Sequence, residues 1–176
     1  FYVTNEKEQS QYINMFKEAG LDAVYLTQNI DNPFVGYLEQ KNENVKFLCI
    51  NSDLSDIFKE EVSEEDKEAM KADVEALTEL FRKTLGKENL DVKVEKLKNE
   101  NVSSMITVSE DSRRMQEMMK MYTMPGMDTS MFGGSETLVL NYNNKLVQYI
   151  LGHKDGEHTN AICEQLYDLA ALSHGS

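Results

Sequence analysis

Hydrophobic residues in the first third of the chain alternate between short continuous runs and stripes at helical spacing. The runs at 1–4, 23–27 and 45–51 are rich in β-branched and aromatic residues, so they predict three strands. Gly20 stands where the first intervening helix ends, and Asn32-Pro33 reads as the cap and first residue of the second. This alternation predicts a small parallel sheet with flanking helices.

A long amphipathic helix is predicted next. Ser63 is a typical N-cap, and the three acidic residues after it suit the positive end of the helix dipole. From Met70 to Leu85, apolar residues recur at spacings of three and four, and Gly86 is placed to end the helix. Residues 53–79 carry most of the net charge of −13, and we interpret this acidic run as a solvated helix face.

Strand patterns return in the second half of the chain, at 91–97, 105–108 and 138–142. Each run has the pattern of a strand with one buried face, which predicts a mixed three-stranded sheet covered by helices. Three helices are predicted here: from Arg113 to about Tyr122, at 145–153 and at 157–173. Asp111 or Ser112 is expected to open the first of them.

Methionines cluster between the second and third of these strands: seven of the 10 in the chain lie between Met115 and Met131. Methionine is flexible and polarizable, so a dense cluster suits a surface that adapts to many shapes. Pro125-Gly126 interrupts the cluster, which excludes one long buried helix. We predict an adaptable apolar contact surface; the alternative is an ordinary core helix that uses methionine. Met115, Met118, Met119 and Tyr122 share one helical face, and Met121 lies off it.

The last predicted helix carries apolar residues on more than one stripe. Such a helix is buried on two sides, or is buried on one side and pairs with a second chain on the other. The second interpretation predicts a dimer interface that includes Ile162, Leu166, Leu169 and Ala170.

The predicted fold is therefore of class α/β and α+β. A small parallel αβα layer occupies residues 1–62. A helix-covered three-stranded mixed sheet with a helical dimerisation element occupies residues 63–176.

Candidate chemistry is sparse, and we assign no catalytic, cofactor-binding or metal-binding residue. The turn at 5–8 lacks the glycines that let a backbone approach phosphate. Three histidines, expected at the surface, form no zinc pattern with either cysteine: His153, His158 and His174. Cys49 and Cys163 are expected as buried thiols of a reducing compartment, the cytoplasm.

The charge and hydropathy of the chain limit the classes of partner that it can bind. A net charge of −13 argues against binding nucleic-acid phosphate or an anionic membrane, and no apolar run approaches the ~18 residues of a membrane span. A strand pattern that begins at Phe1 predicts that the chain starts inside a longer protein. Two other functions stay open: a small nucleotide-binding or enzymatic α/β domain at 1–51, and a purely structural dimerisation module.

Several segments resemble one chaperone family in the right order. Residues 1–4 and 9–24, followed by 29–31 and 34–39, are similar to the late middle domain of the ninety-kilodalton heat-shock chaperones, in their bacterial HtpG branch. Two later segments look like the carboxy-terminal domain of this family: 112–122, which begins Ser-Arg-Arg-Met, and 136–141, Glu-Thr-Leu-Val-Leu-Asn.

The resemblance implies a cytoplasmic stress-response chaperone that clamps unfolded or partly folded clients in an ATP-driven homodimer. In this family ATP and magnesium bind in a domain that would precede Phe1, so no such residue is carried over. The family's client-contact helix matches Met115, Met118, Met119 and Tyr122, and also Met121. Its dimer forms through two terminal helices, of which 157–173 matches the first and the second would follow the end of this chain.

Overall fold

The computed structural model describes residues 1–52, 55–115 and 136–174 of the chain. Its first unit contains strands β1 (Tyr2–Val3) and β2 (Val24–Tyr25) and helices α1 (Ser10–Glu18) and α2 (Asp31–Lys41). The two strands pair in parallel. Helix α1 is followed by Gly20 with a φ of 67°, in the left-handed region that favours glycine, so the predicted stop is confirmed.

The strand predicted at 45–51 is wrong. Its backbone makes a single parallel bridge, between Cys49 and Tyr2. That bridge uses the Leu48 carbonyl and the Ile50 N–H, which bond to Tyr2. On the opposite edge, the Phe47 N–H donates to Glu39 at 2.7 Å and the Phe47 carbonyl accepts from Arg114 at 3.1 Å, so these groups bond to side chains and not to a strand. Helix α2 also begins earlier than the predicted start at Asn32-Pro33.

A short helix α3 (Ser55–Phe58) leads to the long helix α4 (Glu64–Leu85). The predicted caps of α4 are confirmed. Ser63 Oγ accepts a hydrogen bond from the Asp66 N–H at 3.2 Å, and Gly86 takes a φ of 62°. No described helix is both long and apolar enough to cross a membrane.

The second sheet is mixed, as predicted. Its strands β3 (Asp91–Glu95), β4 (Ser104–Val108) and β5 (Glu136–Asn141) lie in the order β3-β5-β4. β5 runs parallel to β3 and antiparallel to β4. The remaining described helices are α5, residues 110–115, with α6 (Lys145–Gly152) and α7 (Thr159–His174).

Strand β4 is buried on both faces, and so is β5 from Leu138 to Asn141, which corrects the expectation of one buried face for these two strands. In β3 only Val92 is buried. Leu138 and Leu140 of β5 point to a core formed with α4, α6 and α7. Val139, between them, points to the opposite core, which includes residues of β1 and α1. Because that second core contains residues from both sides of position 62, packing is continuous across the predicted domain boundary. The boundary itself stays a prediction.

Candidate functional site

Helix α5 begins one turn before the methionine cluster. Ser109 Oγ accepts a hydrogen bond from the Ser112 N–H at 3.2 Å, so Ser109 caps the helix and the predicted opening at Asp111 or Ser112 is wrong. Residue 110 is the first helical position. A glutamate there lies near the positive end of the helix dipole, which stabilises its negative charge.

Glu110 lies at the centre of a network of hydrogen bonds. Its Oε1 accepts from the Tyr2 hydroxyl at 3.0 Å, from Arg113 Nη2 at 2.8 Å and from Arg114 Nε at 2.9 Å. Its Oε2 accepts from the Cys49 N–H at 3.1 Å and from Arg113 Nε at 3.3 Å. One carboxylate therefore ties the first turn of α5 to β1 and to the segment that follows α2.

Arg114 extends this network to α2. Its Nη1 and Nη2 donate to the two carboxylate oxygens of Glu39 at 2.7 and 3.0 Å, a bidentate pair. Arg114 Nη2 also donates to the Phe47 carbonyl at 3.1 Å. The side chains of Arg114 and Glu39 are 35% and 18% exposed, so this pair is only partly screened by solvent. Its two halves lie 75 residues apart in the chain.

The charges of this network keep its carboxylates ionised. Burial would raise the pKa of Glu110, but the hydrogen bonds and charge of Arg113, with further bonds from Cys49 and Arg114, hold that pKa below its ordinary value. The hydrogen bonds from Arg114 likewise lower the pKa of Glu39. Two arginines thus balance two carboxylates in a partly buried space.

Helix α5 buries one charged side chain and exposes one apolar side chain. The Arg113 side chain is only 9% exposed, whereas Met115 is 59% exposed. Of the predicted client-contact residues, Met115 therefore lies at the surface. The other four lie outside the described residues: Met118, Met119, Met121 and Tyr122.

Helix α2 also exposes apolar side chains. Ile30, just before it, and Phe34 and Tyr37 within it are 73%, 54% and 55% exposed, and only Val35 of this helix is buried. Arg114 holds the helix that carries these residues next to α5.

The apolar residues of α7 lie on two adjacent stripes, one buried and one exposed. Leu166 and Ala170, two of the predicted interface residues, are each 1% exposed and lie in the chain's own core. Leu169 is 58% exposed and Leu172 is 69% exposed. Ile162 is partly buried. The exposed stripe, rather than the core stripe, is the part of α7 that a second chain could contact.

The turn between β1 and α1 does not fit a nucleotide phosphate. Asn5 Oδ1 accepts from the N–H groups of Lys7 and Glu8, and Gln9 Oε1 accepts from those of Thr4 and Asn5. A phosphate would have to displace these side chains to reach the backbone donors. This geometry counts against the nucleotide-binding alternative for residues 1–51.

The cysteines and histidines differ in burial. Cys49 and Cys163 are free and buried, as predicted, and burial raises the pKa of Cys163 to about 11. His153 and His158 are exposed, but His174 is half-buried, which corrects its assignment to the surface. Within residues 1–52, 55–115 and 136–174, no three His, Cys, Asp or Glu side chains are grouped to hold a metal ion.

Comparison with known protein families identifies the chain. The Hsp90 protein family model matches residues 1–176. The chain belongs to the Hsp90 family. The resemblance to the ninety-kilodalton heat-shock chaperones is thereby confirmed at the level of the family. The position of the chain within a longer Hsp90 protein stays a prediction.

Three bacterial relatives agree with this assignment. Chaperone protein htpG of Bacteroides fragilis (strain 638R) is 34% identical over 169 residues, which cover 92% of this chain and 24% of that protein. HtpG of Bacteroides thetaiotaomicron is 33% identical over 162 residues, covering 88% and 23%. HtpG of Porphyromonas gingivalis (strain ATCC 33277) is 30% identical over 164 residues, covering 88% and 23%. The chain thus spans about a quarter of the length of these curated relatives.

The network around Glu110 was not anticipated from the sequence. A signal for it exists, because Glu110 precedes Arg113 and Arg114 by three and four positions, the spacing of side-chain neighbours on a helix. What the spacing does not show is that Tyr2, Cys49 and Glu39 complete the network from distant parts of the chain.

Proposed function

We propose that the chain supplies client binding and dimerisation to an ATP-dependent protein-folding chaperone, as the end of its middle domain and its carboxy-terminal domain. Membership in the Hsp90 family and the chaperone names of the relatives support this proposal. The partners are then unfolded or partly folded proteins and a second copy of the chain. ATP and magnesium act elsewhere in the longer protein, and no residue of this chain takes part in hydrolysis.

The burial of Arg113 and the exposure of Met115 in α5 carry the client-binding part of the proposal. Charged side chains are rarely buried, and here the helix buries an arginine while it turns Met115 to solvent. An ionic inner side fixes the described start of the helix without packing of Met115. Met115 is left available to a partner, and methionine adapts to differently shaped apolar surfaces. Helical spacing predicts Met118, Met119 and Tyr122 on the same side as Met115.

The exposed stripe of α7 supports the dimerisation part. Leu169 and Leu172 lie three residues apart, so they form one apolar ridge on the surface of the helix. A two-fold contact would bring this ridge against its copy and bury both. The core stripe of Leu166 and Ala170 would stay within each chain.

Binding of an unfolded protein tests the client-contact role. A reduced, carboxymethylated protein that stays unfolded is labelled with a dye and titrated with the chain while fluorescence anisotropy is recorded. Replacing Met115, Met118 and Met119 together by Gln keeps helix propensity and side-chain length, yet removes the apolar surface. We expect affinity to fall at least about tenfold, because a few central apolar residues carry most of the energy of an interface.

Stability separates a contact surface from a core. If the methionines were core residues, each Gln would bury an amide without a partner at a cost of roughly 1–3 kcal/mol, and the triple variant would melt far below the parent. The matched control is Ile30→Gln, which changes a 73% exposed apolar residue at the amino end of α2, the end opposite to Glu39. Unchanged affinity in the triple variant, or a collapse of its fold, would contradict the proposed client surface.

A further inference from the structure

Helix α2 and helix α5 are joined mainly through charged side chains. Helix α2 buries only Val35, so apolar packing alone holds it weakly. Glu39, near its carboxyl end, binds Arg114 of α5 through two parallel hydrogen bonds and accepts a third from the Phe47 N–H at 2.7 Å. Arg114 in turn donates through Nε to Glu110 at 2.9 Å.

This arrangement places Arg114 at a junction of three separate parts of the chain. Its guanidinium contacts the first turn of its own helix through Glu110, α2 through Glu39 and the segment after α2 through the Phe47 carbonyl. Such a planar fork fits all these acceptors at once, whereas a lysine ammonium could not reproduce the bidentate geometry. The next residue after this junction is the exposed Met115.

We propose that the Glu39–Arg114 pair is a joint that positions α5 against the first unit of the chain. The hydrogen bond from Arg114 to Glu110 anchors this joint to the first turn of α5. The proposal rests on the proposed function, because the helix that the joint positions is the proposed client surface. Glu39 and Arg114 are positioning residues: they orient the methionine side without contributing apolar contact.

Hydrogen exchange and client binding together test the joint. The change is Glu39→Gln, made on α2 and therefore outside the methionine helix. Amide exchange is followed at Phe47, whose N–H donates to Glu39, and across residues 110–115. We expect faster exchange in both places. We also expect client affinity to fall about two- to thirtyfold, the fold-change that corresponds to the coupling changed by such mutations.

Two further variants sharpen the test. Arg114→Lys keeps the positive charge but loses the fork, so it should reproduce most of the effect of Glu39→Gln. The double variant with Glu39→Gln should then be little worse than either single change, because both remove the same interaction. Glu43→Gln is the matched control, an exposed glutamate in the same unit, and should change neither readout.

The outcomes separate the joint from the function on which it rests. Faster exchange at Phe47, with unchanged exchange at 110–115 and unchanged client affinity, would overturn the proposal and make the pair a local brace of α2. If the parent chain itself binds no unfolded protein, the proposed function fails. Exchange at 110–115 in Glu39→Gln then still decides whether the joint exists.

Discussion

Replacing Glu110 by Gln removes the centre of the ionic network with little change in side-chain shape. Gln keeps one acceptor oxygen, but its amide nitrogen is itself a donor and would face donors from Arg113, Tyr2 or Cys49. Arg113, whose side chain is 9% exposed, would keep its charge and lose its ion pair with Glu110. The variant therefore removes one carboxylate from a buried guanidinium and sets donors against each other.

The size of the effect follows from the burial of the pair. Removing one partner of a fully buried ion pair costs about 3–5 kcal/mol. The Glu110 side chain retains 13% exposure and Arg113 keeps its contact with the Tyr2 hydroxyl, so the loss should lie at the lower end of that range. For a chain of this length, roughly 3 kcal/mol lowers the melting temperature by about 6–12 °C.

Urea unfolding followed by circular dichroism measures this loss. The control is Lys67→Met, which breaks the Glu64–Lys67 pair, with side chains 88% and 59% exposed and worth about 0–0.5 kcal/mol. A Glu110→Gln variant that loses no more stability than the control would refute the reasoning. The network would then be an ordinary set of surface ion pairs.

Other predictions concern pH, assembly and nucleotide. The lowered pKa values of Glu110 and Glu39 stabilise the fold above the ordinary carboxyl value of 4.5, and this contribution is lost as pH falls through the lowered values. Urea midpoints between pH 7 and pH 3 should therefore fall less steeply in Glu39→Gln than in the parent. Leu169→Asp should shift a dimer to monomer in sedimentation velocity with the fold intact, whereas Leu166→Asp should unfold the chain by burying a charge in its core. A Leu169→Asp variant that dimerises like the parent would exclude this stripe. Calorimetric titration of the chain with ATP and magnesium should give no heat of binding, and micromolar affinity would restore the nucleotide alternative.

Local signals predicted the parts of the fold that depend on neighbouring residues. The hydroxyl of Ser63 and the left-handed glycines 20 and 86 act within one helical turn, so they mark helix ends wherever the helix packs. The mixed sheet was also predictable, because its strands have clear β patterns and their links are long enough for a parallel connection.

Features that depend on distant residues were missed. Strand β4 carries Ser104 and Thr107 on opposite faces, and both are buried. Ser104 is satisfied there by donating to the Leu166 carbonyl at 2.8 Å. The segment expected as a strand at 45–51 makes one bridge, and the backbone groups of Phe47 on its other edge bond to the side chains of Glu39 and Arg114. A local sequence pattern assigns a polar residue to the surface, even when that residue is buried and bonded to a partner far along the chain.

Methyl NMR of the methionines tests the client-contact surface most directly. The ε-methyl groups of all 10 methionines are labelled with carbon-13, and an unfolded protein is titrated in. Met15, Met70 and Met105 are 4%, 8% and 2% exposed and serve as internal references in the core. We expect the signals of Met115, Met118 and Met119 to shift or broaden with client concentration while the three core signals stay unchanged. Unperturbed cluster signals at a client concentration that binds the chain, or equal perturbation of the core methyls, would contradict the account.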